Sequence, residues 1–151
     1  MFEVRNISPS DIGNLLELIE KDDVKLNNIY KYLDNFLICK WKGYICGFGF
    51  GLIQSDSFFV IGIYVTPNYR SRGIGSLIMK AFINKFTVQN INKLYISGED
   101  TAFYKSLQFE PISTQHFIEN RSVFFNIYDQ TISSNIYFVN TKEYVFNRGC
   151  Q

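Results

Sequence analysis

Arg70-Ser71-Arg72-Gly73-Ile74-Gly75 is the stretch of this sequence best equipped for chemistry. Two arginines and two glycines lie where a strand-like run ends and a helix-like run begins, so successive backbone N–H groups converge at a helix N-terminus. Glycine lets a ligand approach the main chain closely, and the helix dipole favours negative charge. Such a loop suits an anion, most simply a pyrophosphate. Two other phosphate-binding patterns do not fit. No Gly-x-x-x-x-Gly-Lys-Ser/Thr occurs, and Gly73-x-Gly75 is followed by Ile78 where a dinucleotide fingerprint needs its third glycine. The alternative is a glycine-rich strand-to-helix turn that binds nothing. Context favours a ligand: a buried strand before the loop, Val65-x-Pro67 at its exit and an amphipathic helix after it.

The elements that must position this loop follow from periodicity. Phe58 to Val65 is almost entirely apolar and reads as a central strand. The helix after the loop should bury Leu77, Ile78, Ala81, Phe82 and Phe86. Upstream, Phe2 to Ile7 reads as a first strand, and Ser8-Pro9-Ser10-Asp11 as a helix start with a cap, a proline and an acid three residues after the cap. Ile12, Leu15, Leu16 and Ile19 make that helix's apolar stripe, and a shorter helix is expected over Leu26 to Leu33, burying Leu26, Ile29, Tyr30 and Leu33. Phe36 to Trp41 and Tyr44 to Gln54 form a hairpin around Lys42-Gly43. Gly47, Gly49 and Gly51 fall on one face of its second arm, which implies a bulge or a close approach by a ligand or another backbone. Downstream, Lys93 to Ser97 reads as a strand, Asp100 to Leu107 as a capped helix, and Pro111 to Phe117 with Ser122 to Asp129 as a closing strand pair.

The fold class is therefore α/β (α+β). A length of 151 residues implies one domain, drawn over residues 1–129, with 130–151 as a C-terminal extension holding at most one more strand. A formal net charge of +1 provides no basic field, so neither nucleic acid nor a membrane is an expected partner. The N-terminus lacks a basic and apolar leader, which points to the cytoplasm. Cys39, Cys46 and Cys150 form no C-x-x-C pair, and a single His116 cannot complete a metal site, so no metal is expected and the cysteines read as reduced thiols.

The residues Val65-Thr66-Pro67-Asn68-Tyr69-Arg70-Ser71-Arg72-Gly73-Ile74-Gly75-Ser76-Leu77-Ile78 resemble the acetyl-CoA signature of the GCN5-related N-acetyltransferases (GNAT). Ala102-Phe103-Tyr104-Lys105-Ser106-Leu107-Gln108-Phe109 resembles that family's second motif, Phe-Tyr-x-x-x-Gly-Phe. The element order over residues 1–129 is similar as well. The resemblance implies a mixed central sheet of about six to seven strands flanked by about four helices, with acetyl-CoA as cosubstrate. It further implies that Arg70, Ser71, Arg72, Gly73, Ile74, Gly75 and Ser76 hold the CoA pyrophosphate. By the same similarity Ile63, Tyr64 and Val65 offer main-chain bonds to the pantetheine arm, the Val65 amide polarises the thioester carbonyl, Ser97 contacts the cofactor, and Tyr104 protonates the departing thiolate. A phenol, protonated at pH 7, is suited to that task.

Three departures qualify the match. Ser97-Gly98-Glu99 stands where the family often has Asn, Gln108 stands where it usually has Gly, and Ser57 to Val65 contains no carboxylate to act as base. Glu99, Asp56, Tyr64 through a water, and His116 are the candidate bases. The expected activity is acetyl transfer to a primary amine of a small molecule or peptide by direct attack in a ternary complex. The alternatives are a CoA-binding or partner-binding module without catalysis, and an acyltransferase for a larger acyl group. The aromatic tail, including Tyr137, Phe138, Tyr144 and Phe146, could cover the core, fold over the acceptor cleft or build a homodimer, the last being favoured.

Overall fold

The computed structural model describes residues 1–26, 28–54, 56–97, 101–112 and 136–144. In chain order they form β1 (Phe2–Asn6), a 3-10 turn Pro9–Asp11, α1 (Ile12–Lys21), a 3-10 helix Ile29–Asn35, β2 (Phe36–Trp41), β3 (Tyr44–Gln54) and β4 (Ser57–Val65). A 3-10 turn Pro67–Tyr69 leads to α2 (Ile74–Val88), β5 (Lys93–Ser97), α3 (Thr101–Ser106), β6 (Glu110–Ile112), β7 (Ile136–Asn140) and a last 3-10 turn, Thr141–Glu143. The seven strands make one mixed sheet in the order β1-β2-β3-β4-β5-β7-β6, with β4 and β5 parallel. The expected α/β architecture and the central place of β4 are observed.

Two compact units divide the chain: Met1–Leu52 with Gly62–Phe82, and Ile53–Ile61 with Ile83–Gln151. In the first, β1 and β3 flank β2 in antiparallel register, from Phe2↔Trp41 to Asn6↔Leu37 and from Phe36↔Phe50 to Trp41↔Tyr44. Lys42 and Gly43 both take positive φ (49° and 85°), the conformation a two-residue hairpin turn requires. The register slips at Cys39/Lys40, so Cys46 is an extra, bulged residue. Phe36, Phe48 and Phe50 stack with centroids 5.4–6.3 Å apart on one face of this hairpin.

On the opposite face the glycines explain themselves. A Cβ on Gly47 would lie 3.1 Å from Ile74, and one on Gly49 would lie 2.8 Å from Ile78 and 2.9 Å from Phe82. The strand surrenders side chains there so that α2 can pack closely, and no widened acyl pocket follows from these two glycines.

Helix α1 starts as its sequence dictates. The Asp11 carboxylate accepts from the Ser8 backbone N–H (2.9 Å) and hydroxyl (2.7 Å), and it receives a fork from Arg5 (2.7 and 2.9 Å) with Lys40 at 3.4 Å. Arg5 comes from β1 and Lys40 from β2, so one buried carboxylate joins two strands to a helix start. The Arg5 guanidinium, opposing the cost of burial and aided by Ser8, holds Asp11 well below the usual carboxylate range.

In the second unit β4 pairs β5 from Ser57↔Lys93 to Val60↔Ile96. β7 lies antiparallel between β5 and β6, from Lys93↔Asn140 to Ser97↔Ile136 and from Glu110↔Phe138 to Ile112↔Ile136. Phe58 packs on Phe86 of α2 (4.2 Å) and Tyr95 on Phe138 (5.1 Å). The strand beside β5 is thus drawn from 136–140, inside the segment the sequence left as an extension. Ser122 to Asp129, expected as a closing strand, lies outside the described residues.

Other differences are local. The short helix expected over Leu26 to Leu33 is a 3-10 helix over Ile29–Asn35, entered through Asn28 at φ 56°, and its Tyr30 is 62% exposed. Leu16 of α1 and Leu77 of α2, both assigned to buried stripes, are 43% and 41% exposed. A helix buries a narrower face when one sheet surface is its only apolar neighbour. Cys39 and Cys46 are free and fully buried, and burial pushes both thiols up, that of Cys39 to about 12. Cys150 lies outside the described residues. Among those described, no helix is long and apolar enough to cross a membrane.

Candidate functional site

The anion loop belongs to the first unit. Pro67–Tyr69 makes one 3-10 turn after β4, anchored by the Tyr69 N–H on the Thr66 carbonyl (2.9 Å) and by the Thr66 N–H on the Cys46 carbonyl of the bulge (2.9 Å). Ser71 and Gly73 then take left-handed φ values of 63° and 79°. Alternation of left-handed residues with ordinary ones turns consecutive N–H groups inward, which makes a concave anion seat. The first intrahelical bond of α2 runs from the Leu77 N–H to the Gly73 carbonyl (3.0 Å). Helix geometry therefore leaves the amides of Ile74, Gly75 and Ser76 without helical acceptors, at the positive end of a 15-residue helix. A Cβ on Gly73 would meet nothing within 4 Å, so the space in front of the loop is open. The residues present fit a pyrophosphate: the donors are main-chain amides on a fixed turn, and a side chain is missing where close approach is needed.

Both arginines of the loop are stacked on aromatic rings. The Arg70 guanidinium lies 5.6 Å from the Tyr64 ring centroid, with its Nε donating to the Val65 carbonyl (2.9 Å), and Arg72 lies 5.3 Å from the Tyr69 ring. Arg70 thus ties the loop back onto the end of β4, the strand that carries Ile63, Tyr64 and Val65.

Those three residues alternate across the sheet. Ile63 faces α2, where a Cβ on Gly49 would lie 3.4 Å from it, whereas the Tyr64 ring packs on Phe48 (5.4 Å) on the other face. There the Tyr64 hydroxyl donates a 2.6 Å hydrogen bond to Asp22, just beyond the end of α1. Burial and the Asp22 acceptor raise the Tyr64 hydroxyl above the ordinary phenol range, against the opposing charge of Arg70. Periodicity had no means of finding Asp22. It sits in a charged run 42 residues before its partner, and only the tertiary fold brings the two together.

The second unit holds the other expected residues. Tyr104, 9% exposed, is set on α3 with its ring against Phe103 (5.6 Å, edge-on) and Tyr137 of β7 (4.8 Å). Helix α3 ends in a reciprocal cap: the Phe109 N–H bonds the Tyr104 carbonyl (3.0 Å), the Gln108 N–H bonds the Lys105 carbonyl (3.0 Å), and Gln108 adopts φ 67°. The position where the family motif has glycine is left-handed in this chain, with glutamine bearing a strain of about 1 kcal/mol. Ser97 ends β5 in register with Ile136. Glu99 and His116 lie outside the described residues. Asp56, just before β4, accepts the Asn92 N–H through its carbonyl (3.1 Å) and faces Lys93 (3.9 Å).

Comparison with known proteins agrees with this geometry. The model of the acetyltransferase (GNAT) domain family matches residues 33–111. No curated protein sequence matches the chain. Among solved structures, a GNAT-family acetyltransferase from Staphylococcus aureus is similar, with a TM-score of 0.70 and 16% identity over 93% of this chain and 99% of that one. N-acetylglutamate synthase from Neisseria gonorrhoeae, complexed with coenzyme A and N-acetyl-glutamate, has a TM-score of 0.73 and 17% identity over 93% of this chain. This chain spans only 35% of that synthase. The ribosomal-protein-S18-alanine N-acetyltransferase from Escherichia coli has a TM-score of 0.66 and 13% identity over 97% and 98% of the two chains. Identities this low speak for the fold, and the family model, covering more than half of the sequence, identifies the lineage: the chain belongs to the GNAT acetyltransferase family.

Proposed function

We propose that the protein is an N-acetyltransferase that moves the acetyl group of acetyl-CoA to a primary amine of a small molecule or peptide, by direct attack in a ternary complex. The observation that carries this reading is the loop Arg70–Ser76, with two left-handed residues, open space at Gly73 and the first-turn amides of a long helix behind it. In this reading those amides hold the pyrophosphate. Ile63, Tyr64 and Val65, past the last β4 residue in register with β5, offer main-chain groups to the pantetheine arm. The Val65 N–H is the donor to the carbonyl oxygen as charge develops on it.

The acceptor's lone pair then forms the C–N bond, the C–S bond breaks, and the thiolate takes the proton of Tyr104 while the nitrogen releases its own to water. The barrier favours a weakly basic amine. A lysine-type amine near pKa 10.4 needs about 4.6 kcal/mol to lose its proton at pH 7, an α-amine near 7.8 only about 1 kcal/mol. Two of the similar structures are named for α-amino acceptors, glutamate and an alanine, which supports the same choice.

Isothermal calorimetry with Gly73→Glu tests the loop. The added carboxylate should weaken acetyl-CoA binding at least a hundredfold, and unchanged affinity would remove the loop from cofactor binding. Tyr104→Phe should lower turnover about tenfold to a hundredfold, the usual reach of a general acid, while acetyl-CoA affinity is preserved. Normal turnover would leave Tyr104 as a packing residue.

A further inference from the structure

Helix α1 delivers a carboxylate to β4 that the sequence pattern did not supply. Asp22 bonds the Tyr64 hydroxyl at 2.6 Å, and no lysine or arginine among the described residues forms an ion pair with it. Lys25, in the same turn, bridges Asp23 at 3.5 Å, and Arg70, whose charge also reaches the Tyr64 hydroxyl, donates to the Val65 carbonyl. The pair also sits on a defined side of the strand. α2, which carries the anion loop, packs against Gly47 and Gly49, whereas Tyr64 and Asp22 occupy the other face, one residue before Val65. A cofactor seated on the loop would therefore leave Asp22 on the side from which a second substrate can approach.

We propose that Asp22, oriented by Tyr64, anchors a cationic group of the acceptor other than the nitrogen that reacts, so that the preferred acceptor is an amine carrying a second positive charge. This rests on the transferase reading above. The division of labour follows from electrostatics: a carboxylate in contact with the reacting ammonium would hold the proton that must leave, whereas the same contact with a distant ammonium binds the substrate without that penalty. A second cation also lowers the pKa of the reacting amine by like-charge repulsion, which compensates for a β4 without a carboxylate. Tyr64 contributes direction. Its hydroxyl occupies one carboxylate oxygen and leaves the other for the ligand.

The test compares kcat/KM for 1,3-diaminopropane and n-propylamine at pH 7.5, with thiol release from acetyl-CoA as readout. The wild-type protein should prefer the diamine at least tenfold, chiefly through KM. Asp22→Asn should reduce that ratio to within threefold of unity with acetyl-CoA affinity unchanged, Tyr64→Phe should reduce it partially, and Asp23→Asn should retain it. A wild-type protein that acetylates both amines equally, or an Asp22→Asn variant that keeps the preference, overturns the assignment of Asp22 and leaves the transferase reading intact. Absence of thiol release with both amines, in protein that binds acetyl-CoA, overturns the transferase reading and this inference with it.

Discussion

Two aspartates bracket helix α1 and are used in opposite ways. Asp11, at its start, is buried and saturated by the Arg5 fork, Lys40 and two groups of Ser8. Asp22, at its end, accepts one short bond from a neutral phenol and forms no ion pair among the described residues. The first carboxylate spends all its acceptor capacity on joining β1, β2 and α1, so its value is structural. The second keeps charge in reserve. A carboxylate that the fold has not neutralised can serve a ligand, and one the fold has neutralised cannot.

This contrast can be broken most directly at Asp11. Asp11→Ala removes the cap, the Arg5 fork and the Lys40 contact together, and should cost about 3 kcal/mol, the lower end for a buried pair because Arg5 is partly exposed. Thermal denaturation should register a fall of roughly 6–12 °C for a chain of this size. A fall below 2 °C would contradict the structural role.

Acid unfolding sharpens the contrast next. The folded state holds Asp11 below its ordinary pKa, so its contribution is fully present above the unfolded value near 3.9 and is lost as pH falls below that. Stability measured by urea titration should therefore drop steeply below about pH 4 in the wild-type protein and less steeply in Asp11→Ala. Equal slopes would place the acid sensitivity elsewhere. The smallest effect is expected at the other aspartate: Asp22→Asn should change stability by no more than about 0.5 kcal/mol, as for a site outside the core. A loss above 1 kcal/mol would show that Asp22, too, is a structural residue.

Much of this molecule was legible before folding was considered. The start of α1, the hairpin around Lys42-Gly43, β4, and the strand–loop–helix from Ser57 to Val88 follow from local rules, because caps, turns and alternation act over a few residues. The anion loop belongs to this group. Its glycines and arginines are adjacent in sequence, and adjacency is what a nest at a helix start requires. Reading failed where a side chain's neighbours come from far along the chain. Leu77 and Leu16 have the right spacing for burial but remain two-fifths exposed. The 3-10 helix at Ile29–Asn35 has a helical pattern, yet it is too short for propensity alone to settle its type. The strand paired with β5 came from residues without a clear period.

By itself, then, the sequence determined the family, the glycine-bearing loop before α2 and the order of the elements as far as α3, all of which rest on contiguous residues. Tertiary structure alone decided that Gly47 and Gly49 of β3 make room for α2. It alone showed that Gln108 adopts a glycine-like conformation at the end of α3. And it alone brought Asp22 to Tyr64, because a hydrogen bond between residues 42 positions apart exists only once a helix has packed on a sheet.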